Sequence, residues 1–336
     1  MLTSSRPLLQ QHVLSNAAKI WNTTIRIPNL KAAVPVADSI FDIDQTADLV
    51  VDLLRHYQGK VLVMTGAGAS TDSGIPDYRG TQGTYVRNPK HRPILFQELI
   101  SSEDFRRRYW ARGYLGWPEM SKAQANPTHY LLAQLLRDQY IQHIITQNVD
   151  HLHHLAGTSP QHVTELHGSL REVECLSCRT SVDRDLYQRR LNARNPKWAN
   201  YARSLQLRGE KPKTNPDGDV ELPGDITYTD FDIPPCHVCS SRKMKPKVVF
   251  FGENIQSTIT AQAENQVRDS SAMLIIGSSL ATYSSYRLVR LANELSKPIG
   301  IINLGATRAD GLISWKAEVG CSPVLEHVVR KLSIKP

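Results

Sequence analysis

The stretch that most constrains the fold is Val61–Tyr85, V-L-V-M-T-G-A-G-A-S-T-D-S-G-I-P-D-Y-R-G-T-Q-G-T-Y. It opens with Val61–Met64, an apolar run whose length and branching suit a buried strand. Gly66 and Gly68 follow at once. A strand that stops at G-x-G leaves backbone N–H groups pointing outward, with no Cβ to keep a diphosphate away. The common dinucleotide pattern needs a third glycine at position 71, and this chain has Thr71 there, so a plain dehydrogenase fits poorly. G-A-G alone is weak. The continuation Gly74-Ile75-Pro76-Asp77-Tyr78-Arg79 is more specific, a rigid turn carrying an acid, an aromatic and a cation.

Further segments carry polar groups where apolar runs end. These are Thr146-Gln147-Asn148-Val149-Asp150, Leu166-His167-Gly168, Gly277-Ser278-Ser279 and Asn303-Leu304-Gly305. The five cysteines include two Cys-x-x-Cys pairs, Cys175/Cys178 and Cys236/Cys239. Four thiolates close a tetrahedral site and leave no open position for water, so zinc there is expected to be structural.

Taken together, G-A-G-A-S, S-G-I-P-D-Y-R-G, T-Q-N-V-D, L-H-G, the split cysteine pairs and the two late glycine turns resemble the sirtuins, the NAD-dependent protein deacylases. The resemblance runs from about Val34 to the C-terminus. Arg92-Pro93-Ile94, Tyr109–Arg112 and Gly116-Trp117-Pro118 resemble the class II branch, which includes mitochondrial members.

The resemblance implies an α/β fold, a Rossmann-like parallel sheet domain over residues 37–336 with a smaller zinc-binding lobe inserted at 169–246. It implies NAD contacts from Gly66, Ala67, Gly68, Ser70, Thr71, Ile75, Pro76, Asp77, Tyr78, Arg79 and Tyr85. Gln147, Asn148, Val149, Asp150, Gly277, Ser278, Ser279, Asn303, Leu304, Gly305 and Cys321 complete that set. His167 is the implied catalytic base, with Asn148 holding a water or the ribose. An unperturbed imidazole pKa suits a base at neutral pH. In the implied reaction the acyl oxygen of a lysine side chain attacks the ribose as nicotinamide leaves. The acyl group then passes to ADP-ribose. ADP-ribosyl transfer to protein is a close chemical alternative on the same site. A catalytically silent, zinc-containing nucleic-acid module is the alternative from another class.

Val249, Phe250, Gly252 and Glu253 are the implied acyl-lysine contacts, on a strand expected over Lys247–Phe251. Tyr109 and Arg112 share a helix face. They match a pair that reads acidic acyl groups in class III sirtuins, with a packed Tyr and a surface Arg as the plainer reading. His151, His153 and His154 look like a metal cluster, but no carboxylate or thiol completes the set nearby in the chain.

The net charge of +8 raises nucleic acid as a partner, yet the excess is dispersed, and specific nucleic-acid binding is not expected. No apolar stretch is long enough to span a bilayer. Residues 1–36 read as a mitochondrial presequence and linker. They contain no acid, and Leu9, Val13, Ala17 and Ile20 fall on one helical face beside Arg6 and Lys19. That points to the mitochondrial matrix.

Overall fold

A computed structural model describes residues 39–88, 91–222 and 227–333. The presequence reading falls on residues outside this set.

The chain enters through α1 (Ile43–His56), which buries Ala47, Val50, Val51 and Leu54. Its cap is Asp42, whose carboxylate accepts the Gln45 N–H. The sequence suggests Asp44 or Thr46, but Asp42 alone has the extended backbone of a capping residue. Then come β1 (Val61–Thr65), a tight 3₁₀ segment (Ala67–Ser73), and α2 (Glu103–Lys122). Next is α3 (Pro127–Arg137), capped by Asn126 as the Asn-Pro-Thr signal predicts. After β2 (Ile141–Thr146) the chain runs through one turn of helix, α4 (Leu152–Leu155), into β3 (Val163–Glu165).

A second unit follows: β4 (Gly168–Cys175), β5 (Ser181–Asp183), α5 (Arg184–Arg194), α6 (Pro196–Leu207) and β6 (Met244–Val248). The chain then completes the first unit with α7 (Ser257–Asp269), β7 (Ala272–Ile276) and α8 (Tyr283–Glu294). Last come β8 (Ile299–Ile302), β9 (Trp315–Ala317) and α9 (Cys321–Ser333).

The main sheet is parallel and six-stranded, in the order β3-β2-β1-β7-β8-β9. Alternation along β1 explains why helices must cover both faces. Val61 and Val63 enter the core under α1, α3 and α9, while Leu62 and Met64 enter the core under α7 and α8. All four side chains are fully buried, each contributing about 1.5–3 kcal/mol of transfer free energy.

The small sheet, order β5-β4-β6, is antiparallel. Its core takes Tyr109, Trp110 and Tyr114 from α2 along with Tyr187, Trp198 and Phe231. Trp110 Nε1 donates to the Met244 carbonyl at 2.9 Å. The lobe therefore draws on a helix that precedes 169–246.

The main-sheet order reverses at β1, with β2 and β3 to one side and β7 to β9 to the other. In an open α/β sheet this is where the loops at the carboxyl ends of adjacent strands part and leave a crevice.

Candidate active site

The loops that leave β1 and β7 press on each other. Gly68 donates its N–H to the Gly277 carbonyl at 2.9 Å, and Gly66 donates to Ile276 at 3.1 Å. A Cβ on Gly68 would stand 2.8 Å from the Gly277 Cα. Gly277 has φ +63, and a Cβ there would meet the Ala69 nitrogen at 2.4 Å. These N–H groups are thus spent within the protein rather than held out for a diphosphate. The glycines instead let two strand ends close into one floor.

That floor belongs to a cleft of about 600 Å³. Gly66, Ala67, Gly68, Ser70, Ile75, Asp77, Tyr78, Arg79 and Tyr85 line it from the first loop. Gln147–Asp150 line it from the end of β2, and Gly277–Ser279 and Asn303–Gly305 from the ends of β7 and β8. His167, Val249, Phe250, Gly252, Glu253 and Tyr109 form the facing side.

Four expected contacts do not line the cleft. Thr71 turns its hydroxyl back to the Gly68 carbonyl. Pro76 is absent from the wall, and so is Cys321, which opens α9 behind it. Burial, with Asp72 nearby, pushes the Cys321 thiol up to about 12, so it stays protonated and unreactive. Arg112 is the fourth. Its Nε donates to the Val220 carbonyl and lies 2.7 Å from Asp219 Oδ1. A guanidinium buried against its own carboxylate has little charge to offer an acidic acyl group. Asp217 and Asp219, not Arg112, reach the cleft. Burial pushes Asp219 up to about 7 against the pull of Arg112.

His167 Nδ1 lies 2.9 Å from the Gln147 carbonyl, and Nε2 lies 2.8 Å from Ser284 Oγ. A carbonyl only accepts, so Nδ1 carries the proton and Nε2 keeps its lone pair. Burial holds the imidazole pKa below the usual 6.5, partly offset by the bond to Gln147. The ring is neutral at physiological pH, as a base must be.

Beside it, Gln147 Nε2 donates to Ser278 Oγ at 2.8 Å, tying β2 to β7. Asn148 Nδ2 donates to the Gly66 carbonyl and to Ser70 Oγ, both at 3.0 Å. Ser70 in turn donates to Asp150 Oδ2 at 2.7 Å. The Leu152 N–H fixes the other Asp150 oxygen at 2.9 Å. Asp150 is buried, and desolvation raises its pKa above 3.8. The strand β6 stops at Val248, short of the expected Phe251, although the Val249 N–H still reaches the His167 carbonyl at 2.8 Å in register with the Gly168–Val248 pair. Glu253 then closes a tight turn on the Phe250 N–H at 2.9 Å.

Residues 66–284 match the model of the Sir2 family, well over half of the chain. This chain belongs to the Sir2 family. Among related sirtuins, an NAD-dependent protein deacylase SIR4 of Batrachochytrium dendrobatidis is 42% identical over 85% of this chain and 94% of its own. The mitochondrial NAD-dependent protein lipoamidase sirtuin-4 of Bos taurus is 40% identical over 79% of this chain and 80% of its own. A solved Sir2 complex with a p53 peptide and NAD+ superposes with a TM-score of 0.64 at 28% identity, covering 85% of this chain and 98% of the other. A Sir2 structure bound to acetylated peptide also gives 0.64, at 26% identity over 86% and 99%.

In this sirtuin the four expected zinc ligands meet. Cys175 and Cys239 Sγ are 3.5 Å apart, and Cys178 and Cys236 Sγ are 3.6 Å apart. Thiolates around one zinc are roughly 3.8 Å apart, given Zn–S near 2.3 Å. The two knuckles are built alike. Ser177 and Val238 each donate an N–H to the first sulfur of their pair, at 3.4 Å. Arg179 and Ser240, just after each second cysteine, both take positive φ.

Ser284, Tyr283, Asp217 and Asp219 are cleft residues that sequence reasoning missed. Nothing local marks the first two. The last two lie in the segment between the cysteine pairs, where no motif marks them.

Proposed function

We propose that this sirtuin is an NAD-dependent protein deacylase acting on acylated lysine side chains. The observation that carries the reading is the buried, neutral imidazole of His167, with its Nε2 lone pair directed into a cleft floored by Gly66, Gly68 and Ser278. The cleft that these loops floor, about 600 Å³ and lined by polar groups at the ends of four strands, fits a dinucleotide. When bound there, NAD supplies an ADP-ribosyl group that leaves nicotinamide for the acyl oxygen. The chain's own residues do the rest. The Gln147 carbonyl fixes the His167 tautomer, so Nε2 is left to accept a proton. Asn148, Ser70 and Asp150 form one hydrogen-bonded row that would hold the nicotinamide end, and Ile75 would cover its ring. Val249 and Phe250 grip the acyl-lysine stem, and the Glu253 turn holds them in place.

The remaining assignments follow. Cys175, Cys178, Cys236 and Cys239 hold one structural zinc. Residues 169–246 form the zinc-binding lobe, and residues 1–36 direct import into mitochondria, in keeping with the mitochondrial sirtuin-4 relative. A fluorescent protein fused after residue 36 should enter mitochondria, and diffuse fluorescence would refute that assignment.

The test of function is a panel of acyl-lysine peptides assayed for peptide-dependent nicotinamide release. His167→Tyr should lower turnover on every acyl group by about 10²–10⁴-fold. Undiminished turnover refutes the assigned base. Arg112→Ala should leave the ratio of dicarboxylic to acetyl turnover unchanged, because its charge is already spent on Asp219. A selective loss of the dicarboxylic substrates would restore Arg112 as a reader of acidic acyl groups.

A further inference from the structure

Three side chains converge beside the cofactor loop that the reaction does not use. His151 follows Asp150, His154 sits on α4, and Glu165 ends β3. Distance in the chain conceals this group, since the carboxylate arrives from a neighbouring strand. The pairing of Thr146 with Glu165 brings it beside the residues that follow β2.

His151 Nδ1 lies 3.0 Å from Glu165 Oε1, and His154 Nε2 lies 3.6 Å from the same oxygen. The first distance alone would make an ordinary hydrogen bond. The second is too long for one, so two imidazole nitrogens share one carboxylate oxygen without a hydrogen bond to each. The two imidazoles lie with centroids 4.3 Å apart and planes tilted by 34°. All three ligand atoms fall within 4.8 Å of one another. Ligands around a tetrahedral zinc with bonds near 2.0–2.1 Å are roughly 3.3–3.4 Å apart, so small side-chain shifts suffice.

Two further features point the same way. His151 holds φ +68, a left-handed conformation that a non-glycine residue adopts only at a cost. Each side chain is partly open to solvent, at 31%, 15% and 21% exposure for His151, His154 and Glu165, so an ion has an entry path.

We propose that His151 Nδ1, His154 Nε2 and Glu165 Oε1 form a second divalent-metal site, distinct from the four-cysteine cluster, that takes one zinc ion and leaves a fourth position to solvent. Two imidazoles and one carboxylate are a borderline donor set suited to Zn²⁺ and also to Co²⁺. His153 is not part of it. Its Nε2 is 2.9 Å from Thr65 Oγ1, deep under the sheet. The site stands one residue from Asp150 and two from His167.

The experiment uses the full chain with its cysteine cluster filled. Zinc content after equilibration with buffered free Zn²⁺ should saturate at two ions per chain. His151→Gly removes one ligand and relieves the positive φ, so it should fold at least as well as the wild type. It should weaken the second zinc by at least about tenfold. Co²⁺ added to the zinc-filled wild type should give a visible d–d spectrum without thiolate-to-cobalt charge transfer. Saturation at one ion, undiminished second-site affinity in His151→Gly, or a cobalt spectrum showing thiolate charge transfer or no band at all would each overturn the proposal.

Discussion

Catalysis in this account rests on which nitrogen of one imidazole carries a proton. Gln147 accepts from Nδ1 of His167, and burial keeps the ring neutral. A base with a lowered pKa is active above that pKa and loses activity as pH falls through it. The acidic limb of kcat/KM should therefore have its midpoint below 6.5. Ser284 donates to Nε2 and so favours the neutral ring. Ser284→Ala should move the midpoint toward higher pH while leaving the plateau within about tenfold. A limb centred above pH 7 in the wild type would contradict the tautomer argument. At this scale the sequence identifies His167, Asn148 and Asp150 through their motifs. It gives no warning of Ser284, because a serine on a helix's first turn is ordinary until another strand brings an imidazole to it.

Among the elements, strand ends do the positioning. β1, β2, β7 and β8 each finish on a polar or glycine turn, and the parallel register sets those turns side by side. The apolar runs make the main strands legible, and α3 could be placed from Asn126-Pro127 alone. The end of β6 was not legible. Val249 and Phe250 look like more strand until Gly252, at φ +82, and Glu253 turn the chain. The surroundings of Arg112 were hidden in the same way. Its carboxylate partner, Asp219, lies 107 residues on in a segment with no periodicity to read. The four-cysteine cluster, in contrast, was readable from spacing, since Cys-x-x-Cys dictates its own knuckle. Its thiols tie β4, through Cys175, to the segment before β6. Cys175→Ser should therefore release zinc, lower the melting temperature by several degrees and expose residues 169–246 to protease, with activity lost in parallel. Loss of activity with zinc content and melting unchanged would contradict a structural ion.

For the molecule as a whole, two units of opposite strand habit meet across one cleft. The parallel sheet supplies the floor, through loops that only glycines allow to touch. The antiparallel unit and the connection out of it supply Val249, Phe250 and Glu253 on the facing side. His167 sits at the seam, in the short link between β3 and β4, touching the end of β2 and the start of α8 at once. A nucleotide and an extended acylated chain can therefore meet at a single imidazole, with no enzyme nucleophile between them. The most direct test is to incubate the chain with NAD and an acyl-lysine peptide and quantify all products by mass spectrometry. Nicotinamide, deacylated peptide and O-acyl-ADP-ribose should form in equal amounts, with none formed when the peptide is left out. Nicotinamide released without peptide, with ADP-ribose attached to protein, would contradict it.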